Sequence, residues 1–501
     1  MIRKFGLKNF KPFASTELIP FAPITLIYGP NSGGKTSLIQ SLRLLKQTLS
    51  IDGADVLNPR GKYVDLGSYK SLIHRHETER DLSFSVVFDA RRVRRGFIGS
   101  RAPHDCERKV DIRFRHSAEN QADNTGLHDI RFTLSNTDRV ILDISLVRKR
   151  ADAIDEEVAE PDLEIMDGEF AMYDVDSIQS LAEYFAEREQ RQFDIRNVRL
   201  NRRGNEFESA DELRKIDVKE FVDLLSGVRI ASRSGLPARI QLPGDREQRR
   251  RFNSFQYDVL TPISTEFIDL FQSTSHLGPL RSHPARHYVT LSNIHDSVGQ
   301  QGEFTPQVLH QRSEICGAIN EWFLQFEIPY VLEIQALGNE VTGTIISLVL
   351  TDSRLNVPVA PSDVGFGIGQ LLPVLVEGCI ASEQIICVEQ PEIHLHPRLQ
   401  AHLADFFIKT SAVRGNNWRS TDPGKGNQWI VETHSETLIR RLQRRIREGV
   451  LSNNDVSVLY VEPGVGGSQV LQLRLDEVGD FVDEWPGGFF DDGFKEAIGG
   501  I

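Results

Sequence analysis

A strand-like run, Pro23-Ile24-Thr25-Leu26-Ile27-Tyr28, leads directly into Gly29-Pro30-Asn31-Ser32-Gly33-Gly34-Lys35-Thr36, and apolar residues at helical spacing follow from Ser37. No other feature of the chain narrows its fold as far. The loop satisfies G-x-x-x-x-G-K-[ST] in the context the pattern requires, between a strand and a helix. Its glycines let backbone N–H groups turn inward onto phosphate oxygens, and the following helix offers its positive end. Lys35 would reach the β- and γ-phosphates, and the Thr36 hydroxyl would ligate Mg²⁺. Gly29, Asn31, Ser32, Gly33, Gly34 and Ser37 complete the cradle. ATP and Mg²⁺ are the expected ligands, because no N-K-x-D segment that would read guanine occurs.

A phosphate loop needs an acid at the end of a neighbouring strand to hold the metal and its water. Ile385-Ile386-Cys387-Val388 is such a strand, and it delivers Glu389, with Gln390 and Glu392 just beyond. Glu389 is therefore the expected second Mg²⁺ ligand beside Thr36. It lies 353 residues after Thr36, a separation that fits a nucleotide-binding head split by a large insertion. The next apolar strand, from Gln428, ends in Glu432-Thr433-His434-Ser435. His434 is placed to meet the γ-phosphate or the attacking water.

The 501 residues suffice for several domains, and 40% hydrophobic with 26% charged residues is an ordinary globular balance. Net charge of −13 argues against a chain coated for bulk nucleic-acid binding. Four scattered cysteines give neither a zinc pattern nor a disulfide framework, and fit a reducing, cytoplasmic setting. No apolar run approaches the roughly 20 residues that cross a bilayer. Alternating runs at 82–88 and 109–114 read as antiparallel strands. Residues 150–260 are polar, with helical stretches at 178–188 and 210–225. The expected division is an N-terminal ATPase lobe at 1–140, an inserted, mainly helical arm at 141–268, a C-terminal lobe at 269–480 and a tail motif at 481–501. The fold class is α/β, with a mixed sheet and an antiparallel β subdomain.

Together these motifs resemble the ABC-type ATPase heads of SMC-like AAA proteins, including the OLD family. The resemblance rests on the phosphate loop, on Asp363-Val364-Gly365-Phe366-Gly367-Ile368-Gly369-Gln370, on Glu389-Gln390-Pro391-Glu392-Ile393-His394-Leu395-His396-Pro397, on Glu432-Thr433-His434-Ser435 and on His276-Leu277-Gly278-Pro279-Leu280-Arg281. It covers about 1–130 and 270–501, not the arm. It implies that Gly367, Gly369 and Gln370 form a signature loop touching the γ-phosphate of ATP held by a second copy. ATP would then be sandwiched between heads in a homo-oligomer, with Leu395-His396-Pro397 near the seam. The family pattern places a carboxylate, the general base, where this chain has Gln390. An amide orients water but takes no proton, so Glu392 is the alternative base and slow hydrolysis is expected. The glutamine usual where the arm rejoins the head is also absent, leaving Arg281 or His276 for that contact.

The tail Glu484-Trp485-Pro486-Gly487-Gly488-Phe489-Phe490-Asp491-Asp492 resembles that of stand-alone ATPase subunits of bacterial anti-phage systems such as PARIS and Septu. That implies control of a separate effector, a nuclease, in defence. Only 67 residues follow His434, too few for a nuclease domain on this chain. The alternative is an SMC-like ATPase of DNA repair or chromosome maintenance acting directly on DNA. Three arginine-rich runs bear on that choice. Those at 91–95 and 246–251 are the candidates for nucleic-acid or partner contact. The run at 440–445 is interleaved with Leu438, Leu442 and Ile446, as on a packed helix.

Overall fold

Strands that read as uninterrupted apolar runs become the middle of a parallel sheet, where both faces are covered. In the computed structural model, β1 (Ile24–Tyr28) leads to α1 (Lys35–Leu49), and β2 (Thr274–Leu277) follows much later. Next come α2 (Phe366–Ile380), β3 (Ile385–Glu389), α3 (Pro397–Thr410), β4 (Gln428–Glu432), α4 (Glu436–Arg447), β5 (Val456–Glu462) and β6 (Gln469–Leu473). The structure describes residues 1–50, 56–89, 107–116, 125–135, 140–148, 169–171, 180, 183, 229–233, 236–241, 261–290, 294–339, 343–413 and 426–488.

The sheet order is β2-β3-β4-β1-β5-β6, parallel except for β6. All fifteen residues of β1, β3 and β4 are buried, which is why these runs carry no polar alternation. The register sets Glu389 opposite Glu432, and Glu432 opposite Ile27. The acidic strand is thus not the neighbour of the phosphate-loop strand; β4 lies between them. Two bonds continue the ladder past the strand ends, from Gln390 N to Glu432 O (2.7 Å) and from Thr433 N to Ile27 O (3.1 Å).

These elements belong to one of two compact units, made of residues 11–43 and 270–501 with Met1. Its core centres on an aromatic group. Trp429 of β4 contacts Phe406 and Phe407 of α3, and Trp322 meets Phe406 edge-on. The indole Nε1 of Trp429 donates to Thr410 Oγ1 at 3.0 Å, so its one polar atom is satisfied. The arginine run of 440–445 behaves as its spacing suggests. Leu438, Leu442 and Ile446 are buried. Arg441 and Arg445 both close on Asp405, and Arg444 pairs with Glu448. A small antiparallel sheet of Tyr288–Thr290, Gly343–Asp352, Tyr330–Asn339 and Val357–Val359 precedes α2. The tail is held at the end of β1, where Trp485 meets Tyr28 edge-on at 5.3 Å and Phe481 at 5.1 Å.

The second unit comprises residues 2–10 and 44–269. Ile2–Phe10, Leu82–Asp89, Glu107–His116, Thr125–Ser135 and Val140–Arg148 are successive antiparallel neighbours. Val110, Ile112 and Phe114 face inward as the alternation requires. Arg108 shares that face, and its charge is matched by Glu266 at 2.6 Å. One boundary needs correction: 140/141 falls at the start of the strand Val140–Arg148. Among the arm's described residues, Glu169–Ala171, Arg229–Arg233 and Leu236–Gln241 are strands that extend the sheet, and Thr261–Gln272 is a helix that closes the arm. The helical stretches at 178–188 and 210–225 lie outside the described residues apart from 180 and 183, as do the arginine runs at 91–95 and 246–251.

Gly378 of α2 gives a sharp test of this packing. A Cβ there would lie 2.5 Å from the Phe406 ring and 2.9 Å from Trp429. Helix propensity alone favours alanine by about 1 kcal/mol, whereas overpacking a tight core costs about 1–3 kcal/mol. Gly378→Ala is expected to destabilise the protein, with the denaturation midpoint moving down; an upward shift would show that the contact is soft.

Candidate functional site

The phosphate loop is built by close approach. Gly29 adopts φ +142° with Val461 O only 2.3 Å from where a Cβ would stand, and Gly34 adopts φ +111° with Pro12 Cγ at 2.8 Å. Neither position tolerates a side chain, so the backbone itself forms the wall. Ser32 also takes a left-handed conformation, φ +63°. Ser468, at the threshold of β6, donates its hydroxyl to Gly33 O at 2.7 Å, and its N–H donates to Pro12 O at 2.8 Å. Sequence inspection did not single out Ser468; only the fold brings it to the loop. Asn31 and Ser32 are exposed, whereas Gly33 and Lys35 are buried. The first turn of α1 carries no acidic residue to oppose an anion.

Lys35 Nζ donates to the carbonyls of Gly29 and Pro30, both at 2.9 Å, which folds the ammonium back over the loop. Burial holds its pKa below the usual lysine value, and Glu432 and Glu392 oppose that shift. Thr36 Oγ1 donates to Glu432, 2.9 Å from Oε2 and 3.2 Å from Oε1. The sequence places Glu432 only within the Glu432–Ser435 motif and gives it no role of its own. Burial first, and then the neighbouring Glu389 carboxylate, push its pKa up to about 7.

Glu389, the acid chosen from sequence, is engaged by His276. His276 Nε2 lies 2.7 Å from Glu389 Oε1, with both side chains buried. Burial lowers the His276 pKa, and the hydrogen bond to Glu389 opposes that shift. Arg281 donates from Nη2 to Glu389 O (2.9 Å) and from Nη1 to Gln390 O (3.2 Å). Burial brings its pKa down to about 10. Both residues named for the missing glutamine contact thus touch the end of β3, His276 through the carboxylate and Arg281 through the backbone.

Gln390 sits at φ +45°, a turn that ends β3. Glu392 Oε1 accepts from the backbone N–H of His434 at 2.7 Å, which ties the ends of β3 and β4 together. Burial raises the Glu392 pKa. Burial, and then Lys35, lower that of His434. Lys35, Thr36, Glu389, Gln390, Glu392 and His434 therefore gather at the ends of β1, β3 and β4, where phosphates would be neutralised and a water oriented.

The glycine segment lies at the start of α2. A Cβ on Gly367 would stand 2.9 Å from His394 O, and one on Gly369 2.8 Å from Pro284. Gln370 turns inward rather than toward solvent. It is buried, its Oε1 accepts from Arg281 N at 3.3 Å, and its Nε2 donates to Arg281 O at 3.4 Å. In this conformation it fastens α2 to the Arg281 segment, which leaves Gly365 as the exposed backbone of the loop. Leu395 is buried, while His396 and Pro397 are exposed.

The glycine cradle, the Lys35–Thr36 pair and the convergent strand ends define a P-loop nucleotide-binding domain whose acidic strand stands one place removed from the loop strand. A family model described as "AAA domain, putative AbiEii toxin, Type IV TA system" matches residues 24–440, and the chain belongs to this family of ATPases. A second model, described as "Protein of unknown function (DUF3696)", matches residues 451–497. No curated protein matches the chain. Solved structures similar to it include the Smc head domain of Pyrococcus furiosus bound to the C-terminal domain of ScpA, at 14% identity and TM-score 0.39, covering 94% of this chain and 96% of that one. Another is the SMC head domain of Thermotoga maritima, at 11% and 0.37, covering 95% and 99%. No helix among the described residues is long and apolar enough to cross a membrane.

The raised Glu432 pKa makes a signed prediction. With a folded pKa of about 7 against an ordinary 4.5, the native state holds a proton that the unfolded chain releases between those values. Stability of the nucleotide-free protein therefore falls as pH rises through that window, by roughly 3 kcal/mol at most, and the penalty is complete above pH 7. Glu432→Gln is expected to melt higher than wild type at pH 8 and alike at pH 4.5. Parallel melting curves for the two proteins across that range would refute the assignment.

Proposed function

We propose that this chain binds ATP with Mg²⁺ and hydrolyses it slowly, as a head that pairs with a second copy through the nucleotide. The observation that carries this is the meeting of Lys35, Thr36, Glu389, Glu392 and His434 at the ends of three parallel strands beside a loop whose wall is backbone. The residues fit the ligands. Backbone N–H groups of the loop and Lys35 suit the phosphates, and Thr36 with Glu389 suits the cation. Mg²⁺ is commonly held by one or two carboxylates plus substrate phosphates. The bound cation would supply charge neutralisation at the phosphates.

Water activation falls to Gln390 or Glu392. Gln390 can orient water but not accept its proton. Glu392, kept above the usual carboxylate range by burial, is the base within this cluster. The glycine loop at the start of α2 would meet the phosphates held by the partner copy, through the exposed backbone at Gly365 and beside Gly367, since Gly369 and Gln370 are buried here. The purified protein is expected to turn over ATP slowly and Lys35→Ala to abolish turnover. Gln390→Glu is expected to accelerate it by on the order of 10-fold or more, within the span a general base contributes. Rapid wild-type turnover with no gain from Gln390→Glu would overturn this assignment.

We further infer a defence role in which the ATP-bound oligomer controls a separate effector, a nuclease. The family description, which names a putative toxin of a type IV toxin–antitoxin system, favours that role over DNA repair or chromosome maintenance. The resemblance of the tail to PARIS and Septu ATPase subunits supports the same choice. Co-expression with the products of adjacent genes, followed by purification with and without ATP, tests it. Nucleotide-dependent capture of a nuclease is expected, and salt-sensitive DNA binding without such a partner would favour the alternative.

A further inference from the structure

We propose that Glu432 is a second acidic residue of the magnesium seat. It accepts a hydrogen bond from the Thr36 hydroxyl and would leave the oxygen lone pairs of Thr36 to the cation. This rests on the nucleotide reading given above and adds a residue that neither the loop motif nor the acidic-strand motif contains.

The case begins with what a hydroxyl can do. It has one proton to donate and two lone pairs to offer. A hydroxyl that ligates a cation uses a lone pair, and a carboxylate that takes its proton fixes its direction and strengthens it as a ligand. In this structure the acceptor of the Thr36 proton is Glu432, at 2.9 Å and 3.2 Å from its two carboxylate oxygens. It is not Glu389, whose Oε1 is held by His276 at 2.7 Å. The cause lies in strand order. β4 is inserted between β1 and β3, so its terminal residue is the acid nearest the phosphate-loop strand.

The register then sets Glu389 level with Glu432 on the adjacent strand. Both side chains are buried. Lys35, the nearby cation, donates to loop carbonyls. Two carboxylates side by side in a dry seam repel each other, and a divalent cation between the strand ends and the phosphates answers both. Were Glu432 only a holder for the Thr36 hydroxyl, an amide in its place would serve equally, since its oxygen also accepts a hydrogen bond. That difference makes the two roles separable.

The test measures metal binding rather than turnover. Mn²⁺ is titrated into the full chain with a fluorescent, non-hydrolysable ATP analogue, with bound metal followed by electron paramagnetic resonance and analogue binding followed in parallel with and without EDTA. Glu432→Gln is expected to raise the half-saturating Mn²⁺ concentration tenfold or more while analogue affinity in EDTA stays level or tightens. Glu432→Asp, which keeps the charge on a shorter arm, is expected to fall between, and it also serves if the glutamine variant does not fold. A Glu432→Gln titration that superimposes on wild type, with the analogue still bound, overturns the role of Glu432 and leaves the nucleotide reading standing. A wild-type chain that binds the analogue under neither condition overturns the nucleotide reading, and this inference with it.

Discussion

The site depends on the parallel pairing of β4 with strands on both sides. Three runs with every residue buried can pair only in the interior of a sheet, and their shared register brings Ile27, Glu432 and Glu389 to one level. Ladder bonds past the strand ends, from Gln390 N to Glu432 O and from Thr433 N to Ile27 O, carry that alignment into the loops. The chemistry is then a matter of what each strand delivers at its tip. β1 delivers the glycine loop, β3 delivers Glu389 and Gln390, and β4 delivers Glu432 and His434.

Charge in this seam is poised for a ligand. Glu389, Glu392 and Glu432 gather where water is scarce, with Lys35 and Arg281 turned largely to backbone carbonyls. Burial raises the pKa values of Glu392 and Glu432 and lowers those of Lys35, Arg281 and His434. Every one of these shifts disfavours the charged form. A cation beside phosphates would restore the matching and so would link ligand binding to local stability. His276 and Arg281 hold the end of β3 from the far side, which fixes where Glu389 can reach.

The parts of this arrangement that depend on local sequence were legible beforehand. The phosphate loop has its own pattern, and continuous apolar runs marked β1, β3 and β4. Glu389 and His434 followed because each ends such a run. Glu432 did not, although it closes the same strand that presents His434. Its contact with Thr36 comes from β4 lying next to β1, and strand order is not written in any local stretch of residues. Ser468 was hidden for the same reason, being 435 residues from the carbonyl it binds. Gln370 read as a signature residue, yet its amide accepts from the Arg281 N–H and donates to the Arg281 carbonyl, which holds it in the interior. In the arm, the strands among the described residues pair with an antiparallel sheet begun far upstream, a pairing that no local stretch announces.

The central claim is that the loop of residues 29–36 is a working nucleotide site that depends on Lys35. Calorimetric titration of the purified chain with ATP in excess Mg²⁺ measures this directly. One ATP bound per chain, with binding lost in a folded Lys35→Ala variant, is the predicted result. No binding by the wild type, or binding that Lys35→Ala leaves unchanged, would contradict it.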